Sequence, residues 1–480
     1  MTRLALLCTL FSHSAAAATY HVAPGGSDAG PGSADAPWAT LQHAADEVAA
    51  GDTVLVHDGT YRGFQIETSG TAGAPIVFLA AGANVVVNDE NPVRGDHHIN
   101  VEGADYVVIE GFRVRDAAVA GIRIVIARGV VVRDNVVGPN GRWGIFTGFA
   151  PEVQIIDNVT YGSGVEHGIY VSNSDGPDDD PVVRGNHSYD NGRNGIQFNG
   201  DCWAGGDGTL DGGVIENNVV HDNTNKGLSI ISAPGVLIRN NVIYENGHSG
   251  GAGGIHLVDE PGCGLPTDDA IVVNNTIVEP RIAGIRINDG ASDNVVFNNL
   301  VVSGNPIADE EGLSDIGTNL MRSSTAGLFF DAGAFDYRLV PESDAIDAGV
   351  ASFLGHAAPA VDITDAPRPA GAAHDAGAYE GAGGTTTAPP APTAALELHP
   401  VAPNPVAGAA AVGFTLPEAS VVRLTVHDLL GREVAVIASA ALPAGDHRFT
   451  LDADELPAGA YVVRLVADAH VAARRFVRAD

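Results

Sequence analysis

The sequence predicts an all-β chain, a right-handed parallel β-helix solenoid followed by a small β-sandwich. The prediction rests on a repeat, on turn content and on what remains to build a core. A short unit recurs through the middle of the chain. Glycine is abundant at 60 residues, and Asn-Gly and Asp-Gly pairs recur, so turns are many and tight. Aromatic residues make up only 6%, which suits a core of Val and Ile.

The unit reads Gly-Ile/Leu-x-apolar, a loop, a short apolar strand ending in Asn-Asn or a variant, then a third strand and a turn. Its starts are Gly121-Ile122, Gly144-Ile145, Gly168-Ile169, Gly195-Ile196, Gly227-Leu228, Gly254-Ile255 and Gly284-Ile285. Second strands run over 131–135, 153–158, 182–186, 214–218, 236–241, 271–275 and 295–299. Each strand is too short to stand as an independent sheet. Stacking coils about 4.8 Å apart buries the apolar side chains in one column. Asn at the strand ends fits this scheme, because it tolerates left-handed backbone and its amide can bond the equivalent Asn one coil on.

The ends differ from the middle, as a solenoid requires. Residues 40–50 read as a short amphipathic helix capping the N-terminal end, and 51–61 as the first coil. After Asn305 the repeat decays. Asp336-Tyr337-Arg338-Leu339 to Asp347-Ala348-Gly349, then Asp375-Ala376-Gly377-Ala378-Tyr379-Glu380, close the solenoid. Residues 381–395 turn to Gly, Thr, Pro and Ala, a linker composition. Residues 396–480 hold apolar strands with Leu442-Pro443-Ala444-Gly445 and Leu456-Pro457-Ala458-Gly459 turns, opened by Pro403-Asn404-Pro405. Arg3, the apolar run 4–11 and Ala15-Ala16-Ala17 read as a signal peptide over 1–18, leaving 19–380 for the capped solenoid. Leu7 before Cys8 argues against lipidation, and no later stretch is long and apolar enough to span a bilayer.

The formal charge of −34 argues against nucleic acid and anionic membranes as partners. The chain has a single lysine, Lys226. A GC-rich genome or a salty habitat accounts for that scarcity equally well. With the signal removed, Cys202 and Cys263 remain as an even pair in an exported protein and are expected to form a disulfide. Free thiols in Gly-rich loops are the alternative.

The first 380 residues, with their repeat and closing segment, resemble the pectate-lyase-like β-helix superfamily, whose members mostly cleave or epimerise acidic polysaccharides. The last 85 or so residues resemble the immunoglobulin-like C-terminal sorting domain of type IX secretion. That resemblance implies passage through the secretion machinery, and release or attachment at the outer cell surface. The final Arg478-Ala479-Asp480 departs from the usual basic ending. A plain spacer or carbohydrate-binding sandwich is the other reading of this region.

Laying the repeats over one another places Arg123, Phe146, Tyr170, Gln197, Ser229, His256 and Arg286 in one outward column. The residues just before each Gly make a second column with Trp143, His167, Asn194 and Lys226. Together they offer aromatic plates, cations and amides, the ingredients of a sugar groove. Arg123, Trp143, Phe146, Asn194, Gln197, Trp203, His256 and Arg286 are the expected substrate contacts. The longest loops follow the same strand and are acid-rich, so Asp178, Asp180, Asp201, Asp207 and Asp211 are expected calcium ligands. Solvated loops on an acidic surface are the alternative. A cation would also bridge an acidic groove to a uronate.

Two groups compete for the base of a β-elimination. One is Lys226, whose proton is released when other positive groups crowd it. The other is His167 with Glu166 orienting it and Tyr170 as acid. Their structural roles are a turn cap at Asn225-Lys226-Gly227 and a ladder contact from His167 to Asn194. In the calcium-dependent lyases that the fold resembles, the lysine base lies within the strand after the Gly, whereas Lys226 precedes it. The polygalacturonase order of motifs is absent: Asp178 to Asp180 precedes Asn199-Gly200-Asp201, and no Arg-x-Lys exists. The expectation is therefore a secreted, monomeric lyase of an acidic polysaccharide. A glycan-binding surface protein without catalysis, or an adhesive solenoid, is the alternative.

Overall fold

Each repeat lays down three short strands, and parallel pairing with the next repeat stacks them. Residues 120–142 show the rule. Ala120–Val125, Val131–Arg133 and Val136–Val137 lie over Trp143–Gly148, Gln154–Ile156 and Val159–Tyr161, with Ile122 opposite Ile145, Val132 opposite Ile155 and Val136 opposite Val159. In this computed structural model three long parallel sheets result, of 10, 12 and 11 strands among the described residues. The first sheet holds the Gly-Ile strands, the second the strands before Asn, and the third closes the coil. The structure describes residues 17–480 except 173–175, 177–178, 249–252, 280–282, 382–396, 400, 402–405, 407, 417–419, 428–432, 443–444, 454–455, 458, 468–469 and 479–480. Nearly all of the expected signal peptide and linker, and Pro403-Asn404-Pro405, therefore fall outside the described residues.

The interior is a single column of Val, Ile and Leu. Ile122, Ile145, Ile169, Ile196, Leu228 and Ile285 are fully buried. The repeat Gly is a steric requirement: a Cβ on Gly254 would collide with the Gly284 carbonyl of the next coil.

The Asn-Asn signature divides its labour. The first position takes left-handed backbone, as at Asn217 (φ 56°), Asn240 (φ 54°) and Asn274 (φ 54°). The second position forms the ladder. Nδ2 donates to the next Oδ1 from Asn135 to Asn158, Asn186, Asn218, Asn241, Asn275, Asn299 and Asn319, each at 2.9–3.0 Å. Each buried amide in this line also reaches a strand carbonyl, for example Asn218 to Val183. A second ladder runs from Asn191 through Asn223 and Asn246 to the Glu279 carboxylate.

The N-terminal cap is shorter than expected. The helix spans Leu41–Glu47, with Thr40 accepting from the His43 N–H, and Leu41, Ala44 and Ala45 buried. It stops because Val48 is extended and the Asp52 carboxylate captures the N–H groups of Ala49 and Ala18. Thr19–Val22 pairs with Thr53–Val56, so the solenoid begins one strand earlier than the sequence indicated. The C-terminal coils are covered by the closing segment. Asn274 donates to the carbonyls of Asp375 and Gly377, and a buried Arg368–Glu380 ion pair at 2.7 Å ties the segment together.

The chain forms two compact units, residues 1–384 and 385–480. The second has two antiparallel sheets, of 3 and 4 strands among its described residues, around a core that includes Val412, Phe414, Leu424, Val463 and Phe476.

Asn218→Ala removes the Oδ1 that accepts the buried Asn186 backbone N–H and the Nδ2 that donates to the Val183 carbonyl and Asn241 Oδ1. We expect a loss of about 2 kcal/mol or more, read as a lowered urea midpoint at unchanged slope. An unchanged midpoint would show that the ladder does not stabilise the stack.

Candidate functional site

The outward column assembles in register. Arg123, Phe146, Tyr170, Gln197, Ser229, His256 and Arg286 are successive Cα partners. Asn100 and Gln65 extend it toward the N-terminus. Beside its middle coils lies a groove of about 490 Å³. Trp143, Glu166, His167, Tyr170, Asn194, Gln197, Lys226 and His256 line it, all of them singled out in the sequence. Asp259, Glu260 and Pro261, from the loop after Ile255–Val258, form part of the wall. The Cys202–Cys263 disulfide joins that loop to the one after Ile196–Asn199.

Lys226 lies in the turn before its Gly, with its backbone N–H donating to Asn194 Oδ1 at 3.1 Å and its Nζ 3.5 Å from Ser229 Oγ. Burial, then the charges of Arg193 and Arg286, push its amine down to about 8, with Asp289 opposing. Asn194 also donates from Nδ2 to Gln197 Oε1 at 2.7 Å.

His167 is held differently. Its Nδ1 accepts the Asn194 N–H at 3.2 Å, and its Nε2 faces Glu166 Oε2 at 3.3 Å. Burial, then the charges of Arg193, Lys226 and Arg142, hold it down to about 3. The Nδ1 lone pair is spent on the Asn194 backbone, which is the ladder role. Tyr170 is buried and stacks on Phe146, and its hydroxyl accepts from Asn199 Nδ2 at 3.0 Å and lies 3.5 Å from Asp201 Oδ2. Burial pushes its phenol up to about 12.

Several expected contacts stand apart from this groove. Arg123 is committed to Asn100 and Glu102, each at 2.8 Å, and Arg286 to Glu310. Phe146 packs against Trp143 and Tyr170 without lining the groove. Trp203, 71% exposed, sits out on its loop. His256 does line the groove, donating from Nε2 to Asn288 Oδ1.

The expected calcium set does not converge. Among the described residues no group of three or more carboxylates, imidazoles or thiolates is placed to hold a metal ion. Asp201 lies 3.5 Å from the Tyr170 hydroxyl and its charge is felt by Glu260, and the charges of Asp207 and Asp180 are felt by Asp211. Asp207 accepts the Thr209 N–H, and Asp259 accepts those of Gly264 and Leu265. Asp178 lies outside the described residues. Calcium asks for six or more convergent oxygens, and no such group stands among the described residues.

The sequence reading passed over Arg142 and Arg193. Both line the groove, one position upstream of the Trp143 and Asn194 column. The signal was available: the residues two before each Gly are Arg142, Glu166, Arg193 and Asn225 on successive coils. Backbone hydrogen bonds from Glu166 to Arg142, Arg193 to Glu166 and Asn225 to Arg193 confirm that they stack.

Fold and groove define a right-handed parallel β-helix with a polar, cation-bearing cleft beside one sheet. The chain belongs to the Pel9A-like right-handed β-helix family, whose model matches residues 20–307. Residues 400–478 match the secretion system C-terminal sorting domain, so the chain is exported, for release or surface attachment. Among curated proteins it is 42% identical over 78 residues to pectate lyase PEL9 of Emericella nidulans, and 33% identical over 105 residues to the uncharacterized protein YwoF of Bacillus subtilis. These matches span 15% and 21% of this chain, and only 19% and 22% of those proteins. The crystal structure of pectate lyase Pel9A superposes with a TM-score of 0.54 at 18% identity, over 76% of this chain and 96% of that one, a likeness of fold. Among the described residues no helix is long and apolar enough to cross a membrane.

The buried imidazoles predict acid sensitivity. His167 and His256 are held down to about 3 and about 4, below the ordinary 6.5. Below 6.5 the unfolded chain takes up protons that the folded chain refuses, so stability falls as pH drops toward 4. Thermal melts at pH 7 and pH 4 should show a lower midpoint in acid, and His167→Gln should shrink the difference. Equal midpoints in wild type at both pH values would refute this.

Proposed function

We propose that this protein is an exported lyase that cleaves an acidic, uronate-containing polysaccharide by β-elimination, with Lys226 as the base. One observation carries the reading. The chain's single lysine lies in the groove with its amine pushed down to about 8, so a neutral amine is available at mildly alkaline pH. Membership in the Pel9A-like family and the local identity to a pectate lyase support pectate as the first substrate to test.

In this reaction the neutral Lys226 Nζ removes the proton on C5, next to the uronate carboxylate. The electron pair forms the C4=C5 double bond as the C4–O bond breaks. The departing oxygen takes a proton from the Tyr170 hydroxyl, which its raised pKa keeps protonated until then. His167 does not compete for the base role, because its Nδ1 lone pair already accepts the Asn194 N–H. Arg123 is paired with Glu102 and does not line the groove. Asn194, Gln197 and His256 supply hydrogen-bonding partners along the sugar chain. No step is assigned to a calcium ion, since the acidic side chains do not fit one.

Incubation with polygalacturonate should release unsaturated products that absorb in the ultraviolet. Lys226→Ala should lower the rate by roughly 100-fold or more, with thermal stability retained. The wild-type rate should climb as pH rises through about 8, as the amine loses its proton. Binding of uronate polymers without product would favour the glycan-binding surface protein instead.

A further inference from the structure

A uronate brings one negative charge per sugar into a protein of net charge −34. Elimination also drives electron density onto that carboxylate as the C5 proton leaves. Something positive must meet it beside the base. The turn row next to Lys226 supplies it. Arg142, Glu166 and Arg193 stack on successive coils, and Glu166 reaches both arginines, Arg193 Nη1 at 3.1 Å and Arg142 Nη2 at 3.6 Å. Two guanidiniums on one carboxylate leave an excess positive charge. Glu166 is the covered member at 14% side-chain exposure, whereas Arg142 and Arg193 are 49% and 56% exposed at the groove. Arg142 is further fixed by lying 4.0 Å above the Trp143 ring. Each guanidinium presents more N–H donors than one shared carboxylate can occupy.

Two further observations point to a ligand in this groove. Trp143 Nε1 and His256 Nδ1 are both buried at the groove without a hydrogen-bond partner in the protein. One is a donor and the other an acceptor, a pairing that suits hydroxyl groups along a sugar chain. The second observation is the charge felt by Lys226, for which Arg193 is the largest influence after burial. The guanidinium that would hold the carboxylate is therefore near the amine that would take the neighbouring proton.

We propose that Arg193, braced by Glu166 and assisted by Arg142, receives the uronate carboxylate, so that this lyase neutralises its substrate with its own guanidinium groups and works without calcium. The inference rests on the lyase reading above and adds the receptor to it. A guanidinium matches a carboxylate with parallel N–H bonds and keeps its charge at every relevant pH. Calcium would require several carboxylates, whereas this row carries one, Glu166, already shared by Arg142 and Arg193.

The test uses the full chain with unsubstituted and methyl-esterified oligogalacturonates, in chelator and with added calcium. Wild type should release product from the unsubstituted oligomer equally in both conditions. Arg193→Gln should weaken binding of that oligomer roughly tenfold or more, while binding of the methyl ester changes little. In the same variant the pH midpoint of the rate should move upward, because a charge that depresses the Lys226 amine has gone. Arg193→Lys should recover part of the binding, and melting curves should match wild type. Product that appears only with calcium, or unsubstituted-oligomer binding unchanged in Arg193→Gln, overturns the arginine receptor and leaves the lyase standing. Neither product nor binding with calcium present overturns both.

Discussion

Parallel backbone pairing in strict register is the constraint on which the rest of this structure depends. Each coil bonds its neighbours through short strands, and one slipped residue would turn the Ile column outward. The interior Asn ladder enforces the register at a corner, because each amide must meet the one above, the one below and a strand carbonyl. A buried amide that misses these partners is costly, so the ladder penalises misalignment more than it adds attraction.

Register converts sequence spacing into spatial columns, and the groove follows from that conversion. Arg142, Glu166, Arg193 and Asn225, at the turns before successive Gly residues, lie 24 to 32 positions apart in the chain, yet they stack as neighbours. Arg142, Glu166 and Arg193 alternate in charge along one such column, while Asn194 bridges His167 and Lys226 along the next. An acidic protein thereby concentrates positive charge where an acidic polymer would lie, and Arg193 adds to burial in lowering the Lys226 amine. The acid-rich loops serve other ends: their carboxylates tie down backbone N–H groups, and the disulfide joins two of the loops.

A solenoid must also protect its open ends and flanks. The N-terminal helix packs Leu41, Ala44 and Ala45 onto the core, with the Asp52 carboxylate ending it. At the other end the closing segment docks on backbone-bonding Asn274 and Asn298 and buries the Arg368–Glu380 pair. Asn274 and Asn298 are the left-handed members of their Asn-Asn pairs, so the residues that turn the chain also moor its closing segment.

The solenoid, its register and the outward column were legible in the sequence, because a repeat that buries the same face on every coil leaves an unambiguous period. The disulfide pair and the sorting domain were legible for comparable reasons, a lone even pair of cysteines and a recurring set of turns. The side-chain partnerships were not. Spacing placed Lys226 and His167 in the same row, but only the fold spends the His167 lone pair on the Asn194 N–H and leaves Lys226 near Arg193. Composition made the acidic loops look like a calcium site, but among the described residues no three of their carboxylates are placed to hold an ion. The sequence by itself determined the repeat, and so the columns, since periodicity is a local property. Tertiary structure decided which charges meet, because loop paths and hydrogen-bond partners between coils depend on distances that no spacing encodes.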